Sequence, residues 1–249
     1  MPGPVVDTLS AQEFSHEILD QITVDGLQDV AAGLERKSGA MRDALLARSL
    51  PDRAALRHVL RLVFGTRRKA DLILDQVGSE RLATAIGILL DHDRDLASRF
   101  DRFDAVLSGL PASCADLPGE LLHFSYPDRY WLWTRWLWDP AARTGALGLV
   151  TTDDVDLSEG ATRGGIYLTV GRATAFVNET GKAAGFTDAA PGLFGTDIFL
   201  AAVYGVYLYT VLRMRMTREF NQVMPPLPDL IRRLLGTYYQ EESDADLRS

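Results

Sequence analysis

The sequence predicts an all-α fold: a single multi-helix globular domain with at most one short strand or hairpin near residues 147–178. Two observations carry this. Apolar residues recur at three- and four-residue spacing along most of the 249-residue chain, between capping and breaking residues such as Ser10, Pro51, Gly65 and Pro226. The longest uncharged run, Ile198 to Leu212, has fifteen residues. Spanning a membrane takes about 20, so the run reads as a buried core helix.

In chain order, residues 1–9 are expected to fray, the helical domain to occupy 10–240 with a sub-boundary near 109–118, and 241–249 to be an acidic disordered tail. Ser10-Ala-Gln-Glu13 reads as a capping box opening a helix with Phe14, Ile18 and Ile22 in register. Gly26 is expected to separate it from a second helix carrying Leu27, Val30 and Leu34, and Gly39 to Arg48 reads as a third. Pro51 opens an amphipathic helix with Leu56, Leu60 and Val63 on one face and Arg53, Arg57 and Arg61 on another. Gly65 ends it, and Arg67, Arg68 and Lys69 begin a helix that runs to about Val77. Helices near 80–91 and 94–108 follow, then a turn at 111–118.

Residues 151–165 read as an acidic, glycine-rich loop, long enough to act as a lid or binding loop. Over 166–184, Gly171-Arg172 fits a hairpin turn, but Ile166, Val170, Ala173, Val177 and Ala184 keep helical spacing and Gly185 suits a C-cap. Helix is the better reading, at a cost of about 1 kcal/mol for the internal Gly171. Pro225-Pro226-Leu227-Pro228 ends the long apolar helix and starts the last one, which Gly236 stops.

His123 to Pro140 contains all four tryptophans. Ser125 and Asp128 resemble a capping box and Pro127 suits a first turn, so the stretch reads as a short helix that Asp139-Pro140 stops. On that helix Trp131 and Trp138 share one side and Trp133 and Trp136 the other, with Arg135 placed to cover Trp131 or Trp138. A core helix is one reading. The other has one tryptophan pair facing a pocket or partner, because Trp, Tyr and Arg are enriched where proteins bind. The contact surface on that reading comprises His123, Tyr126, Asp128, Arg129, Tyr130, Trp133, Arg135 and Trp136.

A net charge of −8 weighs against a dedicated nucleic-acid binder. The single Cys114 excludes an internal disulfide and a cysteine-rich zinc site, and reads as an inert thiol. No signal peptide is apparent in the opening residues, and a cytoplasmic location without membrane contact is expected. The acidic run from Asp91 fails as a calcium loop because Leu96 stands where a glycine is required. Gly181-Lys182 lacks the rest of a phosphate-binding loop, so no cofactor is expected.

Glu120 and His123 have the Glu-x-x-His spacing of di-iron bundles, as do Glu13 and His16, though no further glutamates complete a site. Asp153, Asp154 and Asp156 form a possible magnesium cluster, more simply read as solvated acids. Arg53, Arg57, Arg61, Arg67, Arg68 and Lys69 form a basic stripe suited to phosphates, or a solvated face with Asp52 and Asp71 as partners. The leading expectation is a helical interaction protein, a component of a larger assembly, bound to a protein partner or to copies of itself. A nucleic-acid accessory factor and a metal-dependent oxidase are the less favoured alternatives.

Overall fold

Ten α-helices and no strand occur among residues 5–47, 50–185, 192–215 and 225–238, the residues described by the computed structural model of the protein. They are α1 (Thr8–Gln21), α2 (Val24–Leu45), α3 (Arg53–Leu62), α4 (Ala70–Val77), α5 (Ser79–Leu90), α6 (Leu96–Val106), α7 (Leu117–Ser125), α8 (Arg163–Ala184), α9 (Gly195–Arg215) and α10 (Leu227–Leu234). The all-helical expectation holds. The residues gather into two compact units, one of 1–34, 136–155 and 173–249, the other of 35–135 and 156–172. Residues 109–118 lie inside the second unit.

In the first unit, α1 and α10 both pack on α9. Every residue from Ile198 to Val203 is buried, as the uncharged run requires, and no helix of the described residues is long and apolar enough to cross a membrane. At 21 residues α9 is slightly shorter than α2 and α8, each of 22. Of the stretch expected to fray, residues 1–4 lie outside the described residues and residues 5–9 are held in place. Val6 bridges Thr151, and Asp7 caps α1 by accepting hydrogen bonds from the Ser10 amide and hydroxyl. Asp7, not Ser10, therefore starts the helix. That isolated bridge is all that the described residues show of a strand near 147–151. The tail at 241–249 lies outside the described residues.

Two boundaries expected from glycine are absent. Thr23 accepts a hydrogen bond from the Gly26 amide, so the break falls at Ile22–Thr23, and α2 then continues through both Gly26 and Gly39. Burial of Leu27, Val30, Leu34 and Met41 along one face outweighs the poor helix propensity of glycine. Helix was the correct reading for 166–184, and Gly185 ends α8 at φ 78°.

The second unit is built on Phe100, Phe103, Phe124, Leu56, Leu60, Ile73, Leu82 and Leu89, all fully buried, with α5 packed on α6. One fully buried side chain there is a cation. Lys37 donates to Glu120 at 2.6 Å and lies 4.0 Å from the centre of the Phe124 ring. Gly119 of α7 lets the Trp133 carbonyl come so close that a Cβ would collide with it, which fixes the aromatic stretch against the helix.

That stretch is not a helix. The helix there is α7, which ends at Ser125, where the capping pattern had placed a beginning. Pro127 drives Tyr126 to φ −143° and ψ 70°, and the run of aromatic residues beyond favours extended backbone. Side chains from neighbouring elements take over the backbone bonds a helix would make. His123 Nδ1 donates to the Tyr130 carbonyl at 2.7 Å, the Tyr167 hydroxyl to the Trp131 carbonyl at 3.0 Å, and the Arg135 amide to Asp116 at 3.0 Å.

A candidate binding surface around Tyr130

Without a helix, the tryptophans sort differently. Trp133 is 3% exposed and lies among Phe100 and Tyr167, with the Arg163 guanidinium 4.8 Å from its ring centre. Trp138 is buried in the first unit. Trp131 and Trp136 keep partial exposure, the latter donating its indole N–H to the Leu234 carbonyl. Arg135 covers neither expected indole, because its guanidinium pairs with Asp116. His123 is buried. Of the expected contact residues, Tyr126, Asp128, Arg129 and Tyr130 remain together at the surface of the second unit, in one turn closed by the Arg129 and Tyr130 amides donating to the Tyr126 carbonyl.

A residue of α6 organises this turn. Arg99 is 3% exposed and donates through Nη1 to the carbonyls of Leu89 and Asp91 at the end of α5, which the helix leaves without partners. Its Nη2 donates to the Tyr130 hydroxyl at 2.5 Å. Because Arg can only donate, that hydroxyl accepts from it, and it also shares a hydrogen bond of 2.7 Å with His92 Nδ1, whose direction is set by the tautomer of the ring. His92 stacks on Tyr130, with ring centres 5.8 Å apart, and meets Tyr126 edge-on at 4.4 Å. The result is a cluster of rings, half open to solvent, fixed by a buried cation and edged by Asp128 and Arg129.

No protein-family profile, curated protein or solved structure matches the chain. The chemistry of the surface itself therefore has to carry any reading.

Partial burial and the nearby Arg129 and Arg99 hold the His92 imidazole below its ordinary pKa. Any stability this contributes is present above the ordinary imidazole value of about 6.5 and is lost as pH falls below it. The side chain is exposed, so that effect is small. A proton NMR titration should place His92 below the ordinary value, and Arg129→Ala should move it upward by removing a nearby positive charge.

The remaining expected sites come out differently. Glu120 is engaged by Lys37, and among the described residues no three His, Cys, Asp or Glu side chains converge to hold a metal. Asp156 of the acidic loop accepts from the Ser158 amide, and the Glu159 carbonyl accepts from Thr169 of α8, so the loop is tied to α8. Asp52 caps α3 and pairs with no arginine of the stripe; Arg53 pairs with Asp75 and Arg57 with Asp71.

A cleft of about 310 Å³ lies beyond the end of α6, lined by Asp104, Leu107, Leu110, Pro111 and Cys114 among others. Burial pushes the Cys114 thiol up, which disfavours the thiolate form a nucleophile needs.

Proposed function

We propose that the protein is a helical binding protein, a component of a larger assembly, whose contact surface is the Tyr126–Tyr130 turn with His92 and the half-exposed Trp131. The observation that carries this is Arg99. A desolvated cation is committed to holding one surface ring in place, and a ring fixed in advance loses little freedom when a partner covers it. Tyr, Trp and Arg are also the side chains that dominate binding energy at protein contacts. The partner on this reading is another protein or a second copy of the chain.

The test is site-specific photocrosslinking from position 126 in cells that make the protein. Arg129→Glu, on an exposed side chain, should leave thermal stability unchanged and remove the crosslinked partner. Retention of the same adduct in that variant would place the contact elsewhere.

A further inference from the structure

The cleft beyond the end of α6 belongs wholly to the second unit and is independent of the Tyr130 turn. At about 310 Å³ it has room for a molecule of about ten non-hydrogen atoms, each given the space of one liquid water. Its walls are the last turn of α6, from Asp104, and the loop that follows as far as Ala115.

The chemistry of these walls is one-sided. Among the described residues of the lining, Asp104 is the one charged side chain, and Leu107, Leu110, Pro111 and Cys114 give apolar surface. Pro111 has no N–H. The amides of Leu107, Ser108, Leu110 and Cys114 are spent on carbonyls of the helix end and the loop itself, at 3.0, 3.3, 3.0 and 2.8 Å. Few donors are left for an incoming molecule, so the cleft offers it a carboxylate and apolar surface. The last turn of α6 also carries the negative end of the helix dipole. Both favour a cation at the Asp104 end.

The chain already places one cation against that edge. The Arg163 guanidinium has Nε 2.9 Å from an Asp104 carboxylate oxygen, and Nη2 donates to the Ala115 carbonyl at 3.1 Å. One guanidinium does not offset the burial. Desolvation holds the Asp104 carboxyl above its ordinary value against the pull of Arg163, and Asp101 adds to the rise, so a second positive charge is favourable there. The other end differs. Lys69 and Arg135 act on the Cys114 thiol, and each is engaged, Lys69 with the Ser113 hydroxyl and Arg135 with Asp116. Their charge turns a cationic head away from Cys114 and toward Asp104.

We infer that the cleft binds a small organic ammonium or guanidinium, with its charged head on Asp104 and its apolar body along Leu107, Leu110 and Cys114.

The probe is phenethylammonium, with phenethyl alcohol and phenylacetate as its neutral and anionic counterparts. Each is titrated into the ¹⁵N-labelled full chain and followed by amide chemical shifts. Saturable shifts centred on residues 104–115 are expected for the ammonium, with a dissociation constant of about 1 mM, in keeping with so small a ligand. The alcohol should bind at least several-fold more weakly, and phenylacetate should not shift these amides. Asp104→Asn should weaken the ammonium by about fivefold or more and leave the alcohol unchanged. Ala105→Trp fills the cleft from an exposed position of its lining, so it should block both ligands and keep the melting temperature of the parent. That second variant decides the matter if loss of the Asp104–Arg163 pair unsettles the fold. N-acetyl-lysine amide separates the two sources of such a head group within the inference: binding tighter than phenethylammonium assigns the cleft to a side chain of a partner, and weaker binding assigns it to a free amine. No shifts at the lining, alcohol binding as tight as the ammonium, or ammonium binding that Ala105→Trp leaves unchanged overturns the inference.

Discussion

Lys37→Met should destabilise the folded chain by about 3–5 kcal/mol, because it removes the ion-pair partner of a buried carboxylate. Glu120 is 3% exposed and its pair with Lys37 is closed to water. Burial raises the Glu120 carboxyl and Lys37 is the main pull against it, so without Lys37 the carboxyl takes up a proton in the folded state at higher pH still. A carboxyl whose folded pKa is raised contributes stability that is whole below the unfolded value and lost as pH rises. The deficit of Lys37→Met should therefore grow between about pH 5 and pH 8. Replacing both partners with apolar side chains, as Lys37→Met with Glu120→Leu, should recover most of the loss, since two buried charges are then removed together. Urea denaturation of the three proteins at both pH values checks all of this. A single variant within about 1 kcal/mol of the parent would mean that the pair is not buried as described.

Trp133→Ala should cost about 3–5 kcal/mol, the usual result of emptying an aromatic core position. Its indole touches Phe100 and Tyr167, lies under Arg163, and belongs to the segment that Gly119 admits against α7. Trp136→Ala, at a half-exposed position, should cost clearly less on the same denaturation assay. A Trp133→Ala protein as stable as the parent would return this tryptophan to the surface and undo the account of the aromatic stretch.

Most helices were legible because their signals are local. Asp52 and Asp95 cap α3 and α6, and Gly78 and Gly236 end α4 and α10 at positive φ. The aromatic stretch was misread because its capping signal was real in composition and overridden from a distance. Pro127 broke the helix, and His123, Tyr167 and Asp116, the last two remote in sequence, satisfied the backbone beyond it.

The two buried cations left a trace that went unused. Lys37 stands three residues after Leu34 and four before Met41, and Arg99 three after Leu96 and four before Phe103, so both sit on apolar stripes. A cation in that register is either an error in the helix or a buried group with a partner. Which partner could not be read, because Glu120 and Tyr130 lie 83 and 31 residues away.

The central claim is that the Tyr130 turn is a surface prepared for a protein partner. Benzoylphenylalanine in place of Tyr126, compared with the same probe at the exposed Leu19 of α1, tests it in cells that make the protein. The account predicts one reproducible crosslinked species from position 126, absent from position 19 and lost with Arg129→Glu. That species has twice the 27.5 kDa chain mass if the partner is a second copy, and another mass if it is a different protein. Adducts from position 126 no more specific than those from position 19 would contradict the claim.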